Sequence, residues 1–454
     1  MGQSPHDAST FAVSARERVL SRALALALAT LLGLGTTSCS SSPEKVSRGV
    51  LRVATSGDYA PFSFHAIRGA PDTGERGPGS PNDAEGATLD GFDVALARAY
   101  AADRRLDIEW VSFRWPELLV DLERGRFDVA MSGITVRPER SIVGRFTLPT
   151  SESGAVVIVR DATRWRELGD LDRPEARVAV NAGGHLERVA RSHLPRAEIL
   201  AIADNAAVRD ALLAGSVDAV VSDSLEAPHW LAGSADLTLI GPFTRDRKAL
   251  LVAAEQAPLA DDLDEWLLQR EADGTLDALR LRHLGEGAGG RIAEPLPALL
   301  ASIDERLALM PFVAEAKRRD GLAVEAPARE EQVLAAALAS TAEAARRDGV
   351  PAPDDDAVRA LFRAQIAAAK AIQRSALAAP AAATTTRFDL QTELRPALIR
   401  IGDRIARLLV ALPSGVPRER VRAETERALA PRALDAAQRA SIAEALAAIA
   451  SRDP

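Results

Sequence analysis

The sequence predicts a multidomain chain, an α/β part followed by an all-α part. Three observations carry that expectation. At 454 residues the chain is long for a single core and suggests two to four domains. Residues 49–285 alternate short apolar runs with amphipathic stretches, as an α/β fold requires. Beyond residue 297 the apolar positions recur at helical spacing, on segments rich in Ala and Arg.

At the N-terminus, Arg16, Arg18 and Arg22 precede an apolar run from Ala23 to Leu34 and then small residues ending at Cys39. This is the layout of a secretory signal, with an apolar run too short to span a membrane comfortably. Residues 1–39 are therefore expected to be a signal peptide of the lipoprotein type and 40–48 a linker. The chain is expected to be exported, to the periplasm or cell envelope. Cys39 stands where a lipoprotein signal would be cut and acylated. The preceding "TTS" departs from the usual Leu-containing pattern, so acylation and simple cleavage both stay open. Lipid at Cys39 is the one membrane attachment the sequence suggests.

Cys39 is also the single cysteine, which excludes an internal disulfide and a thiolate metal site, and the six His lack paired spacing. No metal or cofactor is expected. A net charge of −8 argues against a nucleic-acid partner, for which a basic patch would be needed.

Within 49–285, "VLRVAT", "RFDVAMSG", "ARVAVNAGG" and "VDAVVSD" read as strands, and "ELLVDLER", "LERVARSHL" and "AAVRDALLAG" as helices. Ligands of open α/β sheets gather beyond the carboxyl ends of the strands, where Thr135, Gly183, Gly184 and Asp223 fall. The two glycines open a helix whose free N–H groups suit an anion. Asp93 reads as a structural residue at a helix start, and Arg68 to Thr88, rich in Gly, Pro and Asp, as a long surface loop.

The strings "LRVATSGDYAPFSF", "GFDVALARA", "WPELLVDLERGRFDVAMSGITVRPERS" and "VNAGGHLERVA" resemble type II periplasmic solute-binding proteins, and among them the periplasmic cyclohexadienyl dehydratases. The resemblance implies a two-lobed α/β domain. It implies that Thr135 and Arg140 grip a ligand carboxylate, that Asp223 receives an ammonium, and that Asp58, Phe62 and Trp115 line the cleft. Trp115 could equally belong to the core. Glu187 matches the dehydratases' proposed general acid, which protonates the departing ring hydroxyl of prephenate or arogenate as carbon dioxide leaves. Such an acid must hold its proton near the working pH. A first-turn position favours the ionised form, whereas cleft burial and the charge of Asp223 favour the protonated one. The latter pair is expected to prevail in the closed, liganded state.

"GEGAGGRIAEP", between Leu284 and Leu296, has the composition of a flexible linker, expected over residues 286–296. Residues 297–454 then form the helical part, with a low-complexity break at Pro380 to Thr386. Arg306 and Lys317 lie eleven residues apart, which returns to within about 20° of one helix face. Arg329 is followed by Glu330, and Gln373 lies on the apolar stripe of Phe362, Ile366 and Ala369. A buried amide needs a partner.

"IDERLALMPFVAEAK", "AREEQVLAAA" and "FRAQIAAAKAIQ" resemble the all-helical chorismate mutases, in particular the secreted class. The resemblance implies a pericyclic conversion of chorismate to prephenate without covalent intermediate or cofactor. It makes Arg306 and Arg329 carboxylate clamps, Lys317 and Gln373 donors to the ether oxygen, and Glu330 the acceptor of the ring hydroxyl. Arg395 in "ELRPALIR" matches an arginine supplied by a later helix. Ala326 and Ala369 depart from the family, standing where many relatives carry a helix cap and a hydroxyl.

Together the two resemblances imply an exported bifunctional enzyme of phenylalanine biosynthesis. The helical part would make prephenate, and the α/β part would convert it to phenylpyruvate, or arogenate to phenylalanine. The alternative is a mutase fused to a non-catalytic binder of an amino acid or cyclohexadienyl acid. Oligomeric state stays open.

Overall fold

The computed structural model describes residues 49–67, 87–234, 236–286, 288, 290–379 and 387–451. The signal, Cys39, residues 68–86 and residues 380–386 lie outside the described residues. From Arg48 onward the chain forms one compact unit.

In chain order the strands are β1 (Val50–Thr55), β2 (Asp58–Tyr59), β3 (Ser63–Ile67), β4 (Ala87–Asp90), β5 (Asp107–Ser112), β6 (Val129–Ala130), β7 (Gly144–Ser153), β8 (Ala155–Val159), β9 (Arg177–Asn181), β10 (Glu198–Ile202), β11 (Ala219–Asp223), β12 (Thr238–Ile240) and β13 (Asp246–Ala253). One sheet has the order β5-β1-β6-β13-β7, a second the order β10-β9-β11-β8-β12, and β2-β3-β4 make a small third. The central strands are runs of Val, Ala and Ile, such as the AVVIV of β8, whose complete burial means that both faces are covered, in sheets that each combine two parallel with two antiparallel pairs. The expected strand "RFDVAMSG" shrinks to Val129–Ala130, as the chain turns away at Ser132 and Gly133. Ala87 and Thr88, expected in a loop, open β4.

The helices of this part are α1 (Phe92–Arg104), α2 (Leu118–Glu123), α3 (Pro138–Val143), α4 (His185–His193), α5 (Asn205–Leu213), α6 (Ala227–Leu231), α7 (Ala257–Ala272) and α8 (Thr275–Leu284). Each sheet with its helices makes one lobe. The chain crosses between lobes at Gly154 and along residues 241–245. The crossings run against each other: Ala155 N donates to Thr244 Oγ1 at 2.7 Å and Phe243 N to Ala155 O at 2.9 Å. A Cβ on Gly154 would come within 2.3 Å of Thr244 O.

The helical part comprises α9 (Pro295–Ala308), α10 (Met310–Arg319), α11 (Pro327–Asp348), α12 (Asp355–Ala378), α13 (Arg395–Ala411), α14 (Arg418–Leu429) and α15 (Ala436–Ala450), with a π-helical turn at Leu390–Leu394 ahead of Arg395. Arg306 and Lys317 do not share one continuous helix. The chain breaks at Leu309, and Pro311 lies in the first turn of α10, where its missing N–H is tolerated.

One apolar cluster runs without interruption from the first lobe, through Leu263, Trp266 and Leu267, into Leu299, Ile303, Ile405 and Leu446 of the helices. The second lobe keeps separate clusters around Trp165 and Trp230. The helices and the first lobe thus share a core, and the second lobe does not. Polar ties reinforce the seam. Buried Arg404 donates to Ser302 Oγ at 3.0 Å and to Phe146 O at 2.5 Å, and pairs with Glu305.

The Gly-rich segment is anchored where a flexible linker was expected. Ala288, Ile292 and Ala293 are buried. Ala293 N donates at 2.9 Å to Glu271 Oε2, which Arg280 also holds at 2.6 Å. Its three buried apolar side chains and the buried Glu271 carboxylate of α7 outweigh the glycines.

Candidate active sites

The first site lies between the lobes. Tyr59, Trp115, Arg140, Asn181, Gly184, His185, Leu186, Asn205 and Glu226 surround a pocket of about 420 Å³ including its open mouth. Strand ends supply it, as the sheet topology requires: Asn181 closes β9, Gly184 caps α4, and Arg140 sits on α3 just beyond β6. The Arg140 guanidinium is buried, donates to Thr135 O at 3.0 Å, and lies 5.9 Å from the Trp115 ring centre. Burial, helped by the neighbouring charge of Arg137, pulls it down to about 9. It remains a cation at neutral pH. Trp115 packs edge-on against Tyr59 and Phe113 while bounding the pocket, so it serves both core and cleft. Phe62 is fully buried beside Tyr59. Asp58 touches the site through its carbonyl, which accepts from Asn205 Nδ2 at 3.3 Å.

Three expectations change here. Asp223 does not stand ready for a ligand ammonium: its Oδ2 lies 2.9 Å from Lys248 Nζ and accepts from Ser153 Oγ at 2.7 Å. The Thr135 hydroxyl oxygen accepts from the same lysine at 2.9 Å, which leaves its own O–H to donate, so its expected role is untouched. Glu187 is also not poised as an acid. Burial raises its carboxyl, but the Gly183 N–H at 2.7 Å and Arg191 overcome this and hold it below the usual range. Asp223 is paired with Lys248, and its charge is not among the influences that set Glu187. Gly183 thereby spends its N–H on Glu187, leaving none for an external anion.

Sequence reasoning passed over Lys248, His185 and Glu226. Alternation along β13 puts Asp246 and Lys248 on one face of a strand that is apolar from Ala249 onward, which was a readable signal. His185 Nε2 lies 3.0 Å from Asp246 Oδ1. Burial lowers the imidazole in spite of that carboxylate. Asp93 accepts the Gly133 N–H at 2.5 Å, as suits a structural residue, and burial pushes its carboxyl up to about 7.

The second site lies among the helices. Arg306 is 7 % exposed, and its Nη1 has no hydrogen-bond partner among the described residues. Burial and the charge of Arg329 pull it down to about 10. Arg329 is lowered by burial and by Arg395. Lys317 is lowered by burial, with Glu325 and Glu330 opposing and Arg395 and Lys370 reinforcing. The cations thus act on one another in pairs, Arg329 on Arg306, Arg395 on Arg329, and Arg395 and Lys370 on Lys317. Without a ligand, Lys317 Nζ donates to Val324 O at 2.8 Å and Arg329 to Gln332 Oε1 at 3.0 Å. Arg395 bonds Gln391 within the π-helical turn. Gln373 is buried, with Nε2 only 3.6 Å from Met310 Sδ and Oε1 without a partner among the described residues. Glu330 is not a lone acceptor, because both its oxygens receive Lys370 Nζ, at 3.0 and 3.1 Å. Lys370 precedes Gln373 by three residues on one helix, a spacing that could have revealed it.

The arrangement defines a two-lobed solute-binding protein joined to a cation-rich helical domain. Residues 75–286 match the bacterial extracellular solute-binding proteins, family 3, and residues 297–374 match chorismate mutase type II. The cyclohexadienyl dehydratase of Pseudomonas aeruginosa is 31% identical over 271 residues, covering 58% of this chain and 94% of that protein. The L-cystine-binding protein TcyJ of Escherichia coli is 25% identical over 240 residues, covering 52% and 84%. Among solved structures, the ancestral amino acid-binding protein AncCDT-1, described as a precursor of cyclohexadienyl dehydratase, is 30% identical and covers 52% of this chain and 96% of that one, with a TM-score of 0.46. The chain belongs to the family 3 solute-binding proteins, carrying a type II chorismate mutase domain behind them.

Proposed function

We propose that this protein is an exported bifunctional enzyme that rearranges chorismate to prephenate in its helical domain and converts prephenate to phenylpyruvate in its α/β cleft. The observation that carries the reading is the buried Arg306 guanidinium nitrogen without a hydrogen-bond partner among the described residues, with the charge of Arg329 acting on it. Desolvated, unpaired positive charge is costly unless an anion completes it. Chorismate is a dianion whose ether C–O bond breaks as a C–C bond forms, with negative charge growing on the oxygen. Fixed cations, with Lys317 and Gln373 as donors, would hold the folded conformer and stabilise that charge.

In the α/β cleft, Arg140 would hold a substrate carboxylate. The ring hydroxyl leaves as water while the electrons of the broken C–CO₂ bond make the ring aromatic. Glu187 is the proposed proton donor, and it would have to take up a proton as the ligand displaces water around it. Its ionised state favours a second reading, in which the cleft binds a cyclohexadienyl acid without turning it over. Incubating the purified mature chain with chorismate, and separately with prephenate, decides between them. Chorismate loss together with phenylpyruvate absorbance in alkali supports the two-step enzyme. Prephenate binding without that absorbance supports the binder, and full turnover by Glu187→Gln removes Glu187 from the reaction.

A further inference from the structure

We infer that Lys248 is a built-in substitute for a ligand's ammonium group, so that the cleft selects carboxylic acids lacking an α-ammonium over the corresponding amino acids. This rests on the α/β cleft being the ligand site described above, but not on its turning a ligand over.

The ammonium of Lys248 is completely engaged. It has three N–H donors and three oxygen partners: Asp223 Oδ2 at 2.9 Å, Thr135 Oγ1 at 2.9 Å and Tyr59 Oη at 3.2 Å. The rings of Tyr59 and Phe62 lie 5.5 and 5.6 Å from Nζ, within cation–π range. A carboxylate, a hydroxyl and an aromatic wall form the kind of seat a free amino acid's ammonium would need. The side chain of a residue on β13 already fills it.

Lys248 is 2 % exposed and Asp223 is completely buried. Asp223 has little capacity left, since its Oδ1 accepts from Leu225 N at 2.9 Å and its Oδ2 also takes Ser153 Oγ. A second ammonium at this seat would have to displace the lysine, leaving a buried unpaired charge, or sit against it in like-charge repulsion. The other acid at the pocket, Glu226, already accepts from Asn205 Nδ2 at 2.6 Å and from Ser222 Oγ at 2.9 Å. The pocket's open handle is cationic, Arg140. Tyr59 joins the two levels, bounding the pocket with its ring and meeting Lys248 with its hydroxyl.

Phenylpyruvate and L-phenylalanine test this, because they share ring and carboxylate and differ in keto against ammonium. Titration calorimetry on the full chain is expected to give at least tenfold tighter binding of phenylpyruvate. Lys248→Ala empties the seat and should raise L-phenylalanine affinity at least tenfold; Lys248→Met, which keeps the aliphatic stem, tests the charge alone should the alanine variant fold poorly. Equal or tighter L-phenylalanine binding by the wild type overturns the inference, as does a folded variant that gains nothing for the amino acid. Prephenate turnover is followed in parallel. Keto-acid preference without phenylpyruvate formation leaves the role of Lys248 standing and removes the dehydratase reading instead.

Discussion

Arg247 Nη1 and Asp304 Oδ2 stand 2.6 Å apart, tying β13 of the α/β part to α9 of the helical part. Arg432 closes the same carboxylate from the turn between α14 and α15, at 2.5 and 2.9 Å. Nearby, Arg245 Nη1 reaches Arg427 O at 2.9 Å from the interlobe crossing. The next residue on the strand is Lys248 in the cleft floor, and two residues along the helix is Arg306. The helical domain therefore grips the strand that leaves the crossing, next to both sites.

Removing the carboxylate at this junction should be expensive. Asp304→Asn leaves two arginines facing each other without their anion, and loss of one partner from a buried ion pair costs about 3–5 kcal/mol. Burial raises Asp304, but Arg432 and Arg247 overcome it and hold the carboxyl low. A depressed carboxylate contributes stability above its unfolded value and loses it as pH falls through the folded one. Urea unfolding should therefore show a large deficit for Asp304→Asn at pH 7 that shrinks in acid. A deficit independent of pH would contradict the assignment.

Arg306→Met separates catalysis from stability. Replacing an unpaired buried cation by an apolar chain of similar size is neutral or stabilising, whereas loss of an oxyanion-type donor lowers turnover by about 10²–10³. The variant should lose chorismate kcat/KM by that factor and keep or raise its thermal midpoint.

Chorismate turnover should fall early on the alkaline side. Lys317 must carry its proton to donate, and burial, reinforced by Arg395 and Lys370, lowers the pH at which it lets go. Activity is retained below that value and lost as pH rises through it, short of the about 10.4 of a free lysine. Lys317→Arg should move the limb to higher pH in a pH–rate series.

Arg191 holds Glu187 ionised alongside the Gly183 N–H. Arg191→Met removes the cation and should shift Glu187 protonation upward, extending prephenate turnover to higher pH. A pH–rate profile unchanged by this substitution would take Glu187 out of the rate-determining protonation.

Gly183 has φ +73°, and a Cβ there would lie 2.7 Å from Pro116 Cγ on the facing lobe. Gly183→Ala should add about 1–2 kcal/mol of backbone strain and wedge the cleft. The expected result is weaker ligand binding with little change in chorismate turnover, which resides in a separate domain.

The order of the parts was legible in the chain because hydrophobic period changes from strand alternation to helical spacing, and because the strings around Arg306, Lys317, Arg329 and Gln373 resemble a known helical family. Those are short-range properties. The pairing of Lys248 with Asp223 and of Lys370 with Glu330 joins residues 25 and 40 positions apart, and the unpartnered state of Arg306 among the described residues is a consequence of burial; local pattern carries neither. The same limit explains Glu187: its sequence neighbours pulled toward ionisation, and only the fold showed that Asp223 was already neutralised. The Gly-rich segment taught it in reverse, since composition promised freedom and a buried Glu271 removed it. By itself, then, the sequence determined the two architectures through periodicity, and offered candidate charges through resemblance. Tertiary structure decided which charges are paired and which stay open for a ligand, because that depends on which strands and helices meet and how much water their meeting excludes.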